Sequence, residues 1–165
     1  MRSGMRFVIA FDTIYGNTRK VAEYLASEMI KHGHDAVLVD MKRTKPREVE
    51  GDALLLGSPT RLGKMSRRAA RFAKKIDHDV WKDRPMAVFD TIMTPPKGRE
   101  GQAKVMRWTE NGAAIRLREL LSKRGFKVQE DVLRVEVIGI KGPLNKEAEE
   151  ASRAWARHLL ASSQV

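Results

Sequence analysis

The chain has 165 residues, 42% hydrophobic and 32% charged, a balance that excludes a disordered polymer and allows one sizeable core. It contains no cysteine, which excludes disulfides, thiolate metal sites and cysteine nucleophiles together. Its formal net charge of +11 bears on partners rather than fold, and leaves a solvated basic surface, an acidic protein, a phosphorylated ligand or nucleic acid as readings.

The first predicted element is a strand, Met5–Phe11, a short continuous apolar run. No apolar run approaches the roughly 20 residues that span a bilayer. The opening Met1-Arg2-Ser3-Gly4-Met5 lacks the apolar segment and cleavage site of a signal peptide, so a cytoplasmic location without a membrane span is expected. The strand breaks into Asp12-Thr13-Ile14-Tyr15-Gly16-Asn17-Thr18, and a helix follows at once. Val21-Leu25-Met29 and Ala22-Ala26-Ile30 form its apolar stripe, and Gly33 stands where a left-handed stop belongs.

Further buried strands are expected at Ala36–Val39, Ala53–Leu56 and Met86–Phe89, with a fifth in broken form from Val128 to Ile138. Thr44-Lys45-Pro46 opens a short helix. Met65, Ala69, Phe72 and Ile76 mark another helix. Asn111 caps a third with Ala113, Leu117, Leu120 and Leu121 inward and Gly125 as its stop. Asn145 caps the last with Ala148, Ala151, Trp155 and Leu159 inward. Strand–helix repeats of this kind give a single α/β domain over residues 1–165: a doubly wound, five-stranded parallel sheet with helices on both faces. Ligands in such sheets bind beyond the carboxyl ends of the strands.

Three polar turns should converge there. In Asp12–Thr18, the residues Thr13, Tyr15 and Thr18 offer hydroxyls, and Gly16 lets successive amides point inward as a nest at a helix start. A phosphate fits this turn; a plain helix cap at Asn17 or Thr18 explains it too. The second turn is Gly57-Ser58-Pro59-Thr60-Arg61-Leu62-Gly63-Lys64-Met65. The third is Asp90-Thr91-Ile92-Met93-Thr94-Pro95, which opens a long connection to Glu110. Asp12 and Asp90 could accept bonds from ligand hydroxyls or serve as structural turn acids. The second turn approaches a Walker A pattern, but Met65 stands where a magnesium-binding serine or threonine belongs, which argues against a nucleoside triphosphatase. His32, His34, His78 and His158 are scattered and read as surface groups, and no spacing suggests a metal site.

Together the turns resemble the flavodoxin superfamily, whose fold has strand order 2-1-3-4-5. "Thr13-Ile14-Tyr15-Gly16-Asn17-Thr18" is similar to the flavodoxin FMN-phosphate loop. "Leu56-Gly57-Ser58-Pro59-Thr60-Arg61-Leu62-Gly63-Lys64-Met65" is similar to the ring-side loop of flavodoxin-like NAD(P)H:quinone oxidoreductases and of flavodiiron flavodoxin modules. The resemblance implies FMN as cofactor, with Thr13, Ile14, Tyr15, Gly16, Asn17 and Thr18 around its phosphate. Ser58, Pro59, Thr60, Arg61, Leu62 and Gly63 would run along the flavin ring, and Asp90, Thr91 and Ile92 would form a third wall. It further implies electron transfer to a protein or a quinone-type acceptor, as a carrier more than as a dedicated enzyme. Thr18–Glu28 also resembles the first helix of flavodoxin-like protoporphyrinogen oxidases, but the second turn favours the quinone-reductase side.

Two features depart from that family. Leu62 and Ile92 or Met93 stand where many flavodoxins place aromatic rings, leaving Trp108 as a residue that could fold back. The chain is also basic where typical flavodoxins are acidic. Arg61, Lys64, Arg67, Arg68, Arg71, Lys74 and Lys75 occupy residues 61–75 without an acid. A positive face there would attract an acidic redox protein or NAD(P)H. The rival reading is a basic nucleic-acid-binding or scaffold module that keeps the fold and has lost FMN.

Overall fold

The structure, a computed structural model, describes residues 4–94, 98–101, 103 and 111–162. In chain order it contains β1 (Arg6–Phe11), α1 (Asn17–Lys31), β2 (Asp35–Asp40), a 3-10 turn (Pro46–Glu48), β3 (Ala53–Pro59), α2 (Arg67–Lys75) and α3 (His78–Trp81). Then follow β4 (Pro85–Met93), α4 (Ala113–Lys123), β5 (Lys127–Val128), β6 (Leu133–Val137) and α5 (Ala148–Ser162). The strand order is β2-β1-β3-β4-β5, with β6 also on β4 and every pairing parallel. Trp108 and much of the connection after β4 lie outside the described residues.

The strand period of two distributes β1 between two cores. Phe7, Ile9 and Phe11 pack with Val21, Leu25 and Met29 of α1 and Trp155 and Leu159 of α5. Val8 and Ala10 face the other way, toward Phe72 of α2 and Leu117 and Leu121 of α4. Both faces of the sheet are thus covered, which is why β3 reads as one unbroken apolar run.

Several expectations are corrected. The fifth strand is two pieces: β5 pairs with Pro85 and Met86, while β6 pairs with Phe89–Met93. The polar Gln129-Glu130-Asp131 interrupts them, since these side chains are better solvated than buried. β2 is a half-exposed edge rather than a buried strand, with Leu38 exposed. β3 and β4 run on to Pro59 and Met93, so Ser58, Asp90, Thr91 and Ile92 are strand residues, not loop residues. Ile30 is 55% exposed because the last turn of α1 carries it past the apolar stripe. On α5, Ser152 is buried and Ala151 exposed; the Ser152 hydroxyl donates to the Ala148 carbonyl at 2.7 Å, which satisfies it in the core.

Neither predicted asparagine cap forms. Asn145 turns its side chain to Glu136 at 3.2 Å. Gly112 holds the cap position of α4, and partners distant in sequence serve that helix's first amides, as described below.

Helices α1 and α5 are clamped by Glu28, which is 1% exposed. Its carboxylate accepts from Arg153 at 3.3 Å and Arg157 at 3.2 Å, and pairs with His32 at 2.9 Å. Burial alone would raise the Glu28 carboxyl, but the bonds to His32, Arg157 and Arg153 outweigh it and hold the group below its ordinary range.

Candidate functional site

The carboxyl ends of β1, β3, β4 and β6 open into one cleft of about 1010 Å³, at the upper end of the range for small-molecule sites. Among the described residues its lining contains Arg61, Lys64 and Arg67 and no acid.

The first wall is the turn before α1. Gly16 has φ +91°, a conformation that suits glycine. This curl places the Gly16 amide 3.0 Å from the Thr13 hydroxyl oxygen, which accepts its proton. The Thr13 hydroxyl proton stays available to a ligand. No carbonyl four residues back serves the amides of Asn17, Thr18 and Arg19, which open the helix. Among the described residues they make no hydrogen bond. The first turn of α1 also has no acidic residue. Orphan donors and the positive end of the helix dipole therefore point at the same spot, and an anion is the complementary ligand.

Two contacts fix this turn. The Thr18 hydroxyl lies 2.9 Å from that of Thr91, tying the start of α1 to the end of β4. The Asn17 side-chain amide donates to the Lys141 carbonyl at 3.1 Å. Neither blocks the amides, and Thr18 can accept from Thr91 while donating its own proton outward.

The second wall is a two-residue hairpin. Arg61 and Lys64 exchange backbone bonds of 2.9 and 3.0 Å around Leu62 and Gly63, whose φ angles are +51° and +75°. Two successive positive φ values define a type I′ turn, for which Asn-Gly is the usual choice. Leucine at the first position costs about 1–2 kcal/mol of backbone strain, and its side chain stands 76% exposed at the cleft rim. Strain of this kind gathers at ligand-binding positions. The geometry also settles the Walker-like stretch: Ser58 lies in a strand and Gly63-Lys64 in a hairpin, so no phosphate loop opens a helix there.

Thr13, Ile14, Tyr15, Asn17, Thr18, Pro59, Thr60, Arg61, Leu62, Thr91 and Ile92 all line the cleft. Ser58, Gly16, Gly63 and Asp90 are not among its lining residues. Ser58 is fully buried, and its hydroxyl accepts the Ser66 amide at 3.0 Å. Ser66 in turn caps α2 by accepting from the Ala69 amide. Gly63 serves through its carbonyl, which accepts from Arg116 Nε at 3.0 Å.

Asp90 is the largest departure. It is completely buried, and its carboxylate accepts from Arg134 Nη2 at 2.9 Å, Thr60 Oγ1 at 2.9 Å and the Ala114 amide at 3.0 Å. Its hydrogen-bonding capacity is spent on a knot joining β4, β6, the second turn and the start of α4. Thr60 Oγ1 also accepts the Ala113 amide at 3.0 Å, completing a cap made by tertiary contacts. Asp12 is likewise a pillar: it is 3% exposed and bound to Arg68 Nη1 at 3.2 Å.

Sequence reasoning missed the fourth wall, Val137, Gly139 and Ile140 at the end of β6. The signal was present, since Gly139-Ile140-Lys141-Gly142-Pro143 follows an apolar strand as the other turns do. Ile140 is 71% exposed and Leu62 76%, so both present aliphatic surface at the rim.

A family model described as a flavodoxin domain matches residues 8–127. The chain belongs to the flavodoxin family. Flavodoxins are FMN-binding electron carriers. Among solved structures, the chain is similar to oxidised flavodoxin 1 from Bacillus cereus, with a TM-score of 0.70 and 20% identity over 94% of this chain and 97% of that one. It is also similar to a flavodoxin from the domain Archaea, with a TM-score of 0.72 and 16% identity over 98% and 100%. Against the rubredoxin oxygen:oxidoreductase of Desulfovibrio gigas the TM-score is 0.65 at 19% identity, over 97% of this chain and 37% of that larger one. No curated protein sequence matches. The strand order 2-1-3-4-5 is that of the flavodoxin fold, with β6 as an extra strand segment. Among the described residues, no helix is long and apolar enough to cross a membrane.

Proposed function

We propose that this flavodoxin-family chain holds FMN in the cleft, with the phosphate on the Thr13–Thr18 turn and the ring between Leu62 and the Ile92–Met93 and Ile140 side. The observation that carries the reading is the set of unpaired amides at Asn17, Thr18 and Arg19, in a turn free of acids and open to the cleft. Bound FMN supplies the electron chemistry. The chain's own part is to anchor the anion, to orient the ring and to exclude water with aliphatic side chains. Leu62 and Ile140 desolvate the ring faces without the stacking an aromatic residue provides.

The electron acceptor is a redox protein with an acidic docking face. Arg61, Lys64 and Arg67 stand on the cleft wall beside the aliphatic rim. An apolar centre with a basic margin suits such a partner, steering it by charge and releasing it as salt rises. A quinone-type molecule entering the same cleft is the small-molecule counterpart.

The test is titration of the purified apo protein with FMN, followed by quenching of flavin fluorescence. Thr18→Ala removes one hydroxyl that can donate to a phosphate, and should weaken binding about tenfold or more. Gly16→Val forces a β-branched residue to φ +91° and should weaken it further. Both variants should remain folded by circular dichroism. Unchanged FMN affinity in both would remove the phosphate assignment.

A further inference from the structure

A second recess, of about 430 Å³, lies between α2 and the turn after β2. Its floor is Met41 and Phe72, both largely buried. Its walls carry Lys42, Arg43, Lys45, Arg68, Arg71 and Lys75, and among the described residues its lining contains no acid. Two segments distant in sequence build it. Arg68, Arg71 and Lys75 share one face of α2 through spacings of three and four. Lys42, Arg43 and Lys45 come from the turn after β2, whose Arg43 and Thr44 amides bond the Asp40 carbonyl at 3.0 and 3.1 Å. Asp40 accepts the Lys42 amide at 2.9 Å, outside the recess.

Of these six cations, Arg68 is held by Asp12 at 3.2 Å. Among the described residues the other five make no ion pair. Gathering them around one concavity raises the energy of the free protein by mutual repulsion, and a multiply charged anion relieves it. Guanidinium forks and ammonium points together match phosphate oxygens. A recess of this size admits a short phosphate chain.

We propose that this recess is a polyphosphate site, taking a di- or triphosphate group either free or as the charged end of a nucleotide. It is separate from the FMN reading, because the two cavities share no lining residue.

The probe is sodium tripolyphosphate, titrated calorimetrically into the FMN-loaded protein at physiological salt. One saturable site is expected. The triple variant Arg43→Gln, Arg71→Gln, Lys75→Gln should lose affinity at least tenfold, roughly, since charge-assisted bonds are removed. A control triple with the same change in charge, Lys31→Gln, Lys123→Gln, Lys146→Gln, should lose less than about threefold, because distant charges are screened. FMN affinity and thermal midpoint should match the parent in both triples, as all six positions are exposed. ATP in a parallel titration separates the sources: tighter binding than tripolyphosphate identifies a nucleotide, and equal or weaker binding a free polyphosphate. Both results keep the site if they depend on the same three residues.

Absence of saturable binding, or equal loss in the two triples, overturns the proposal. So does capture of a single-stranded oligonucleotide that both triples retain equally while tripolyphosphate fails to bind. Should FMN itself not bind, the same titrations on a Gly16→Val background keep the first turn from contributing, so the two readings fail separately.

Discussion

Replacing Asp90 with alanine should destabilise this protein severely while leaving its ligand chemistry intact. The carboxylate is fully buried and serves Arg134, Thr60 and the Ala114 amide at 2.9–3.0 Å. The Arg134 side chain is 21% exposed, and the substitution removes its Asp90 carboxylate together with the acceptor of the Thr60 hydroxyl and of the Ala114 amide. Removing one partner of such a pair costs about 3–5 kcal/mol, against a typical total of about 5–15 kcal/mol for a domain. At about 2–4 °C per kcal/mol for a chain of this size, the thermal midpoint should fall by about 6–20 °C. Urea unfolding of the apo protein measures the loss directly. The double variant Asp90→Ala, Arg134→Ala should lose less than the sum of the singles, by at least about 1 kcal/mol, because the two side chains share one interaction. FMN affinity, measured where each variant is folded, should change by less than about threefold, since less than 1 kcal/mol of binding is at stake. A small loss of stability combined with a large loss of FMN affinity would refute the knot and return Asp90 to the ligand site.

Other measurements probe the remaining claims. Leu62→Asn places a residue that tolerates the left-handed conformation at φ +51°; stability should rise by about 0.5–1 kcal/mol in urea melts while FMN affinity falls, the two changes having opposite sign. Gly112→Ala should destabilise by more than about 1 kcal/mol in the same assay, because an added Cβ would collide with the Arg134 guanidinium. Glu28 has its carboxyl held below the ordinary 4.5 in the folded state. It therefore contributes stability that is fully present above that value and lost as pH falls through the lower folded one. Urea midpoints of wild type and Glu28→Gln should differ most at neutral pH and converge as acid protonates Glu28, and a pH-independent difference would contradict the assignment.

Local pattern alone determined much of this protein. The apolar runs of β1, β3 and β4, the stripe Val21-Leu25-Met29 and the glycine in Thr13–Thr18 express short-range rules: the period of a strand, the period of a helix, and the conformational freedom of one residue at a sharp turn. The parallel architecture and the sharp turn before α1 followed from them. Tertiary structure decided whatever depended on partners far along the chain. Asp90 reads as a free carboxylate at a strand end until Arg134, Thr60 and Ala114 arrive to consume it. Asn111 reads as a cap until Thr60 takes the Ala113 amide, and Asn145 until its side chain turns to Glu136. The six cations of the second recess lie in two separate stretches, and only the packing of α2 beside the turn after β2 makes them one site. Asp90 shows the physical reason most directly. A buried polar group goes to whatever donor or acceptor the folded chain brings within about 3 Å, and that neighbour is set by the fold rather than by adjacent residues.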